Sequence, residues 1–198
     1  MINQTVPVYI TDILRSIVAK VQDEVLATIQ TNETTALGET AINAIDYQFG
    51  HKRELIQTLA QMDADSTLRL YKYPLVYIVL DFREARGKKP GVFASTRLNV
   101  IIAHHTDATY KITDRIEKVF KPVIDPIYYS FIRQLAKAPQ TLQGNPDMIE
   151  HDRWLRSYWG TQAVGGNSAI ALNDYVDAVE ITNLDLEFNY EPCLPVVP

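Results

Sequence analysis

The feature that most constrains the fold is the stretch from Tyr73 to about Leu135, where two apolar runs flank a polar loop. Residues 75–80 are apolar on both faces of an extended chain, which is typical of a central strand covered on each side. The loop, residues 83–91, contains glycine and several cations, and residues 98–103 form the second apolar run. A segment of helical period follows. The stretch therefore predicts a strand, a hairpin arm, a second strand and a helix.

A second helix is predicted before this stretch. Apolar residues recur at three- and four-residue steps from Ile13 to Ile29, which indicates an amphipathic helix of about five turns. We expect it to end before Asn32, with a polar linker at 31–40. Residues 41–49 alternate as in a strand, and residues 54–62 suggest a short helix.

Prolines and a change of apolar parity shape the second half of the chain. Pro122 and Pro126 fall within the helix that follows the hairpin, so that helix should bend or break near residues 121–125. Residues 177–190 are typical of a long strand. Its apolar residues fall on one face in the first half and on the other face in the second half. One extra residue near Thr182–Asn183 reconciles the two halves and predicts a β-bulge there.

These elements predict an α+β fold: a mostly antiparallel sheet with a long hairpin, packed by an N-terminal helix and a Pro-broken central helix. We expect one domain at 10–190, with the exposed hairpin arm at 84–95 and terminal arms at 1–9 and 191–198. The length of 198 residues and the hydrophobic content of 46% suit a single core. One cysteine, Cys193, excludes an internal disulfide and indicates a reducing compartment.

Charge and hydropathy exclude several classes of function. The net charge of −5, without a long basic run, disfavours a protein that grips nucleic acid. No apolar run reaches the ~18 residues of a membrane span, and the first residues lack the features of a secretion signal. We therefore expect a soluble protein made in a cytoplasm, with no membrane partner.

The polar residues provide no catalytic signature. The group that merits a test as an enzyme site lies near predicted strand ends and comprises Asp81, Glu84, His104, His105 and Asp107. The two histidines are adjacent on a strand and point to opposite faces, so they do not easily share a metal. A hydrogen bond from a strand-end histidine to the following helix cap is the simpler interpretation. We predict no enzyme activity and no catalytic, cofactor or metal site.

Several short motifs carry a resemblance to a known class of protein. They are Phe49-Gly50-His51 with Glu54, Tyr73-Pro74-Leu75 running into Asp81-Phe82, Asn99 to Ile102, Arg115 to Val123, and Asn173 to Ile181. Together with the order of elements, over roughly residues 40–190, they resemble the tail terminator and tail-completion proteins of tailed bacteriophages and prophages. These are small α+β proteins that cap the tail tube at the neck.

The resemblance implies a role in particle assembly and not in catalysis. Such proteins form a homo-oligomeric ring, commonly sixfold, in the tail or neck of the virion, through which DNA passes without sequence-specific binding. Their other partners are tube, connector or portal-adjacent proteins. The subunit-contact candidates in this chain are Arg86, Lys88, Lys89 and Phe93 in the hairpin arm, Tyr9 near the N-terminus and Leu194 near the C-terminus.

Two other functions stay open at this point. One is a non-virion adaptor or chaperone of tail assembly, which would be monomeric or dimeric when purified. The other is a small metal-dependent phage hydrolase.

Overall fold

The structure is a computed structural model that describes residues 9–37, 42–64, 72–89, 92–139, 141–142, 144–159 and 175–188. Three helices and six strands lie within these ranges. The helices are α1 (Ile10–Leu37), α2 (Lys52–Ala64) and α3 (residues 112–137), and the strands are β1 (Asp46–Gly50), β2 (Leu75–Val79), β3 (Glu84–Lys89), β4 (Val92–His105), β5 (Asp152–Arg156) and β6 (Val176–Phe188). A short 3-10 turn at Pro146–Met148 precedes β5.

The six strands form one mixed sheet in the order β1-β2-β4-β6-β5. Only β1 and β2 run parallel to each other, and the remaining pairs are antiparallel. β3 lies off this path and pairs with the first part of β4, while β2 pairs with the last part. The predicted α+β fold with a mostly antiparallel sheet and a long hairpin is confirmed.

Each face of the sheet packs against helices. The larger apolar cluster lies between one face and helices α1 and α3, and includes Val76, Val100 and Val179 from three adjacent strands. The smaller cluster covers part of the opposite face, where Leu59 of α2 packs near Tyr77. β2 is buried on both sides, as its doubly apolar sequence predicts.

The predicted β-bulge is confirmed at Thr182–Asn183. Leu98 of β4 lies opposite Leu184, but two residues later Val100 lies opposite Ile181, so β6 carries one extra residue. Asn183 takes a φ of 56°, a left-handed conformation that asparagine tolerates better than most residues. This extra residue lets both apolar halves of β6 face the larger cluster.

Helix α1 continues beyond its predicted end. The expected stop before Asn32 is wrong, because the helix runs to Leu37. Tertiary contacts favour the added turns: the Asn32 amide donates to the Pro122 carbonyl at 3.1 Å, and the Glu33 carboxylate accepts from the Ile42 amide at 3.2 Å. These polar side chains read as a linker in the sequence because their partners lie far along the chain.

Helix α3 passes through Pro122 without leaving helical conformation, so a full break is not clearly shown. It consists of an α-helical turn (Ile112–Arg115), a π-helical segment (Ile116–Ile124) and an α-helical part (Asp125–Lys137). The disturbance predicted at 121–125 corresponds to the end of the π segment. Pro126 lies at the start of the last part and has no N–H to donate. The Pro122 carbonyl, four residues earlier, accepts from the Asn32 side chain instead.

The apolar spacing of α3 explains the π segment. Buried side chains repeat every four residues, while an α-helix has 3.6 residues per turn, so a uniform α-helix would rotate them off one face. The wider i→i+5 turns, with roughly 4.4 residues each, offset that drift. The buried pairs are Val119–Phe120, Val123–Ile124, Ile127–Tyr128, Phe131–Ile132 and Leu135–Ala136.

Other expectations lie outside the described residues, including most of the N-terminal arm and all of the C-terminal arm at 191–198. Within the described ranges, none of the helices is both long and apolar enough to cross a membrane.

Candidate assembly surfaces

The β3–β4 hairpin extends past the described end of the neighbouring strand β6. β3 pairs with β4 from Glu84 opposite Thr96 to Lys89 opposite Val92. On the other side of β4, the pairing with β6 ends at Ala94 opposite Phe188. Val92 therefore pairs with Lys89 of β3 at a position beyond the described pairing with β6. The predicted hairpin is confirmed, although much of the expected loop 83–91 is strand.

The hairpin carries four of the predicted contact residues. The Arg86 side chain is exposed and bonds to Glu84 on the same strand, at 2.9 Å from Nε and 2.7 Å from Nη2. Lys88 and Lys89 lie in β3, and Phe93 lies in β4. The sequence thus locates these residues on one hairpin.

The two remaining candidates are not part of the hairpin. Tyr9 precedes α1 and is 64% exposed. The start of α1 is tied to β1 by a 2.7 Å hydrogen bond from the Tyr47 hydroxyl to the Thr11 carbonyl. Tyr9 therefore lies near the β1 side of the sheet, two strands from β4. Leu194 lies outside the described residues.

An open groove of about 820 Å³ lies at the base of the hairpin. Charged side chains of both signs line the groove. The basic ones are Arg83 and Arg97, and the acidic ones are Glu150, Asp185 and Glu187. Two apolar side chains also border it, Met148 and Leu142, at 70% and 40% exposure. Arginine and methionine are enriched at protein–protein interfaces, so this mixture suits a protein segment.

The polar residues considered as an enzyme site do not come together. Glu84 lies opposite Thr96 of β4, whereas His104 and His105 lie at the other end of that strand. The eight residues that separate positions 96 and 104 span about 26 Å of extended chain. Asp81 is exposed after β2, on the Glu84 side. Within the described ranges, no group of three or more His, Cys, Asp or Glu side chains is arranged to hold a metal.

The two adjacent histidines point to opposite sides, as expected. His104 is 3% exposed, while His105 is exposed. The hydrogen bond predicted from a strand-end histidine to the following helix cap is not made by His104, whose ring nitrogens have no hydrogen-bond partner among the described residues; its Nε2 lies 3.3 Å from Oε1 of Glu33, near the end of α1. The longer α1 brings Glu33 to this position, which the predicted stop before Asn32 excluded. His104 therefore links α1 to the sheet.

A buried ion pair that the sequence did not reveal joins α3 to β6. Nη1 of Arg115 lies 2.5 Å from Oδ1 of Asp177, and both side chains are buried. The guanidinium also donates to the carbonyls of Tyr110 and Asp107, at 3.1 Å each. Tyr158 stacks on it, with the ring centroid 3.8 Å from Cζ. These contacts hold the loop before α3 in place. Arg115 and Asp177 are 62 positions apart, so no local sequence pattern indicates the pair.

A second polar link joins α1 to α3 at the surface. Glu24 accepts hydrogen bonds from Gln134 at 2.6 Å and Ser130 at 2.8 Å, and it pairs with Arg133. The hydrogen bonds from Gln134 and Ser130, with a further contribution from Arg133, lower the pKa of Glu24 from 4.5 to about 2. The ionised carboxylate is therefore the form that holds the two helices together.

Glu24→Gln is expected to lower the free energy of unfolding by about 1 kcal/mol at neutral pH. Because folding depresses this pKa, the stabilisation is complete above pH 4.5 and is lost as the pH falls toward 2. The difference between wild type and variant should shrink over that interval. Urea unfolding at a series of pH values measures it, with Asp23→Asn as the control for an adjacent exposed carboxylate. A difference that stays constant with pH would contradict the assignment.

Comparison with known proteins yields no family, since the chain matches no protein-family model, no curated protein and no solved structure.

Proposed function

We propose that this protein is a virion structural protein of a tailed phage, which forms a ring of the tail-terminator or tail-completion type at the neck. The proposal rests on the sequence resemblance. One structural observation supports it: the basic β3–β4 hairpin, which extends past the described end of the neighbouring strand β6. Partners would be other copies of the chain and neighbouring tube or connector proteins.

A ring requires two different patches on each subunit. A head-to-tail contact closes into a ring when its rotation divides the circle. The hairpin, with Arg86, Lys88 and Lys89, is one patch. The groove at its base, with three acidic and two basic side chains and an apolar border, is a second patch of different shape. We assign the groove as the surface that receives a neighbouring subunit.

The charge of the chain is compatible with a ring around DNA. At a net charge of −5, the subunit has no overall attraction for a phosphate backbone. The three hairpin cations would form contacts between subunits and would therefore not be available to bind DNA phosphates. DNA would therefore pass through the ring without being held.

Reversing the hairpin charges is expected to abolish ring formation and leave the subunit folded. The variant Arg86→Glu/Lys88→Glu/Lys89→Glu changes the sign of one patch only. The matched control is Lys20→Glu/Lys121→Glu/Lys137→Glu, which makes the same change of net charge at exposed helix positions. Light scattering gives the mass in solution, negative-stain imaging shows a ring, and circular dichroism reports folding.

Two results would contradict the proposal. One is a ring that forms equally well from the hairpin variant and the control. The other is absence of the protein from purified virions, measured by mass spectrometry, which would favour an assembly adaptor over a ring component. A wild-type monomer that closes into a ring only with its tube partner is still detected in virions.

A further inference from the structure

Strand β5 is an edge of the sheet with apolar side chains exposed on both faces. Within the part of the chain that the structure describes, β5 pairs only with β6. Trp154 points toward one face and Leu155 toward the other, and each is 51% exposed. A strand edge also presents backbone N–H and C=O groups to any chain that lies alongside.

This edge lacks proline, lysine and a β-bulge, which commonly protect edge strands. Two other protections are present, since β5 is only five residues long and three of them are charged. Because these charges are of both signs, they favour a partner strand with the matching pattern. The register of β5 with β6 continues without a shift from Asp152 opposite Thr182 to Arg156 opposite Ala178. β5 is therefore a regular template for another strand.

The sequence of β5 is complementary to itself in the antiparallel direction. If two copies pair about Trp154, Asp152 lies opposite Arg156 of the second copy, and the reverse contact repeats on the other side. These residues and Trp154 share one face, because their positions differ by two. Opposite charges and aromatic pairs directly across a ladder both stabilise it. A parallel or shifted pairing loses one or both ion pairs.

We propose that β5 pairs with β5 of a second copy of this chain, giving a twofold dimer with one continuous sheet. The opposite face supports the same arrangement: it carries Leu155, Arg153 and the 55% exposed Tyr129 of α3. Arg153 lies over the rings of Tyr128 and Tyr129, at 4.6 Å and 5.9 Å from their centroids. In the dimer, Leu155 lies opposite Arg153 of the second copy, beside these rings.

The dimer goes beyond the proposed ring and does not depend on it. β3 pairs with one side of β4, whereas β5 lies beyond the other side of β4, with β6 between them. A contact between two short strands buries less than the ~1,200 Å² of a stable interface. We therefore expect a dimer that dissociates on dilution.

Charge reversal tests the pairing. Asp152→Arg places two arginines opposite each other at both ends of the ladder, and Arg156→Asp places two aspartates there. Each single variant should be monomeric where the wild type is dimeric. The double variant Asp152→Arg/Arg156→Asp restores opposite charges and should restore the dimer. Sedimentation velocity over a range of protein concentrations gives the masses, and circular dichroism verifies folding.

Controls separate this contact from any other. Lys20→Asp is a matched reversal at an exposed position of α1, outside both β5 and the groove, and it should leave the dimer intact. A wild type that is monomeric at every concentration would overturn the proposal. So would an oligomer that persists in both single variants, because it would use another surface. The hairpin variant should still dimerise, so the outcome is distinguishable from failure of the ring.

A crosslink gives an independent readout in a Cys193→Ser background, which removes the only native thiol. Trp154→Cys places two sulfurs directly opposite each other, with Cβ atoms about 4.5–5.5 Å apart. Oxidation should therefore yield a covalent dimer. Leu155→Cys, equally exposed in the wild type, lies diagonal to its counterpart at about 7–8 Å and should crosslink poorly. Equal crosslinking of the two would contradict the register.

Discussion

Replacing Arg115 with methionine is expected to lower the free energy of unfolding by about 3–5 kcal/mol. The change keeps most of the side-chain volume but removes the partner of Asp177, which is fully buried. Within the described part of the structure, Oδ2 of Asp177 has no hydrogen-bond partner, so this carboxylate relies on contacts to Oδ1. Those come from Arg115 at 2.5 Å and from the Tyr158 amide at 3.2 Å.

A double-mutant cycle distinguishes loss of the pair from loss of packing. Asp177→Asn should also be strongly destabilising, because it leaves the buried guanidinium without its counter-charge. Arg115→Met/Asp177→Asn removes both charges and should cost clearly less than the sum of the two single variants. Guanidinium unfolding measures each variant. The exposed Arg97→Met serves as control, since its partner Asp185 stays in contact with water. Additive losses would mean that the ion pair contributes little.

The elements predicted correctly are those whose signal is local. The buried strand at 75–80 shows an apolar sequence on both faces, and the change of parity in β6 marks the bulge at Thr182–Asn183. Both depend on the two-residue period of a strand, which any pairing partner must respect. The hairpin follows from two such runs joined by a glycine-containing loop.

The features that sequence reasoning missed depend on distant partners. Helix α1 runs to Leu37 because Glu33 meets His104 and Asn32 meets Pro122, contacts that bridge about half the chain. The Arg115–Asp177 pair likewise joins residues that are far apart in the sequence. In addition, the spacing of Trp154 and Tyr158 predicts a strand with both aromatic side chains on one face, but β5 ends at Arg156 and Tyr158 lies in a turn with a φ of 56°.

The sequence indicates the hairpin but not the groove at its base. The basic loop correctly marked the hairpin that carries Arg86, but nothing local indicated the groove, whose lining comes from β3, β4, β6 and residues 142–150. Nor did the composition of β5 indicate an edge, because an edge is a property of sheet order and not of one strand. The order β1-β2-β4-β6-β5 follows from pairings between strands far apart in sequence.

Phe120→Ala is expected to lower the free energy of unfolding by about 3–5 kcal/mol. Phe120 is 2% exposed and lies in the π segment, on the face of α3 that packs against the larger apolar cluster. The loss combines the transfer energy of the ring with the cavity left between helix and sheet, since a close-packed interior relaxes only partly. Guanidinium unfolding measures it.

The adjacent residue provides the control that ties this prediction to the π segment. Lys121 is exposed and pairs only with Glu117 one turn earlier among its described ion pairs, so Lys121→Ala should change the free energy of unfolding by about 0.5 kcal/mol or less. The contrast between two neighbours depends on which side of α3 faces the sheet, and the π segment contains two of the buried pairs, Val119–Phe120 and Val123–Ile124. A loss below about 1 kcal/mol for Phe120→Ala would mean that the wider turns do not hold the ring in the core.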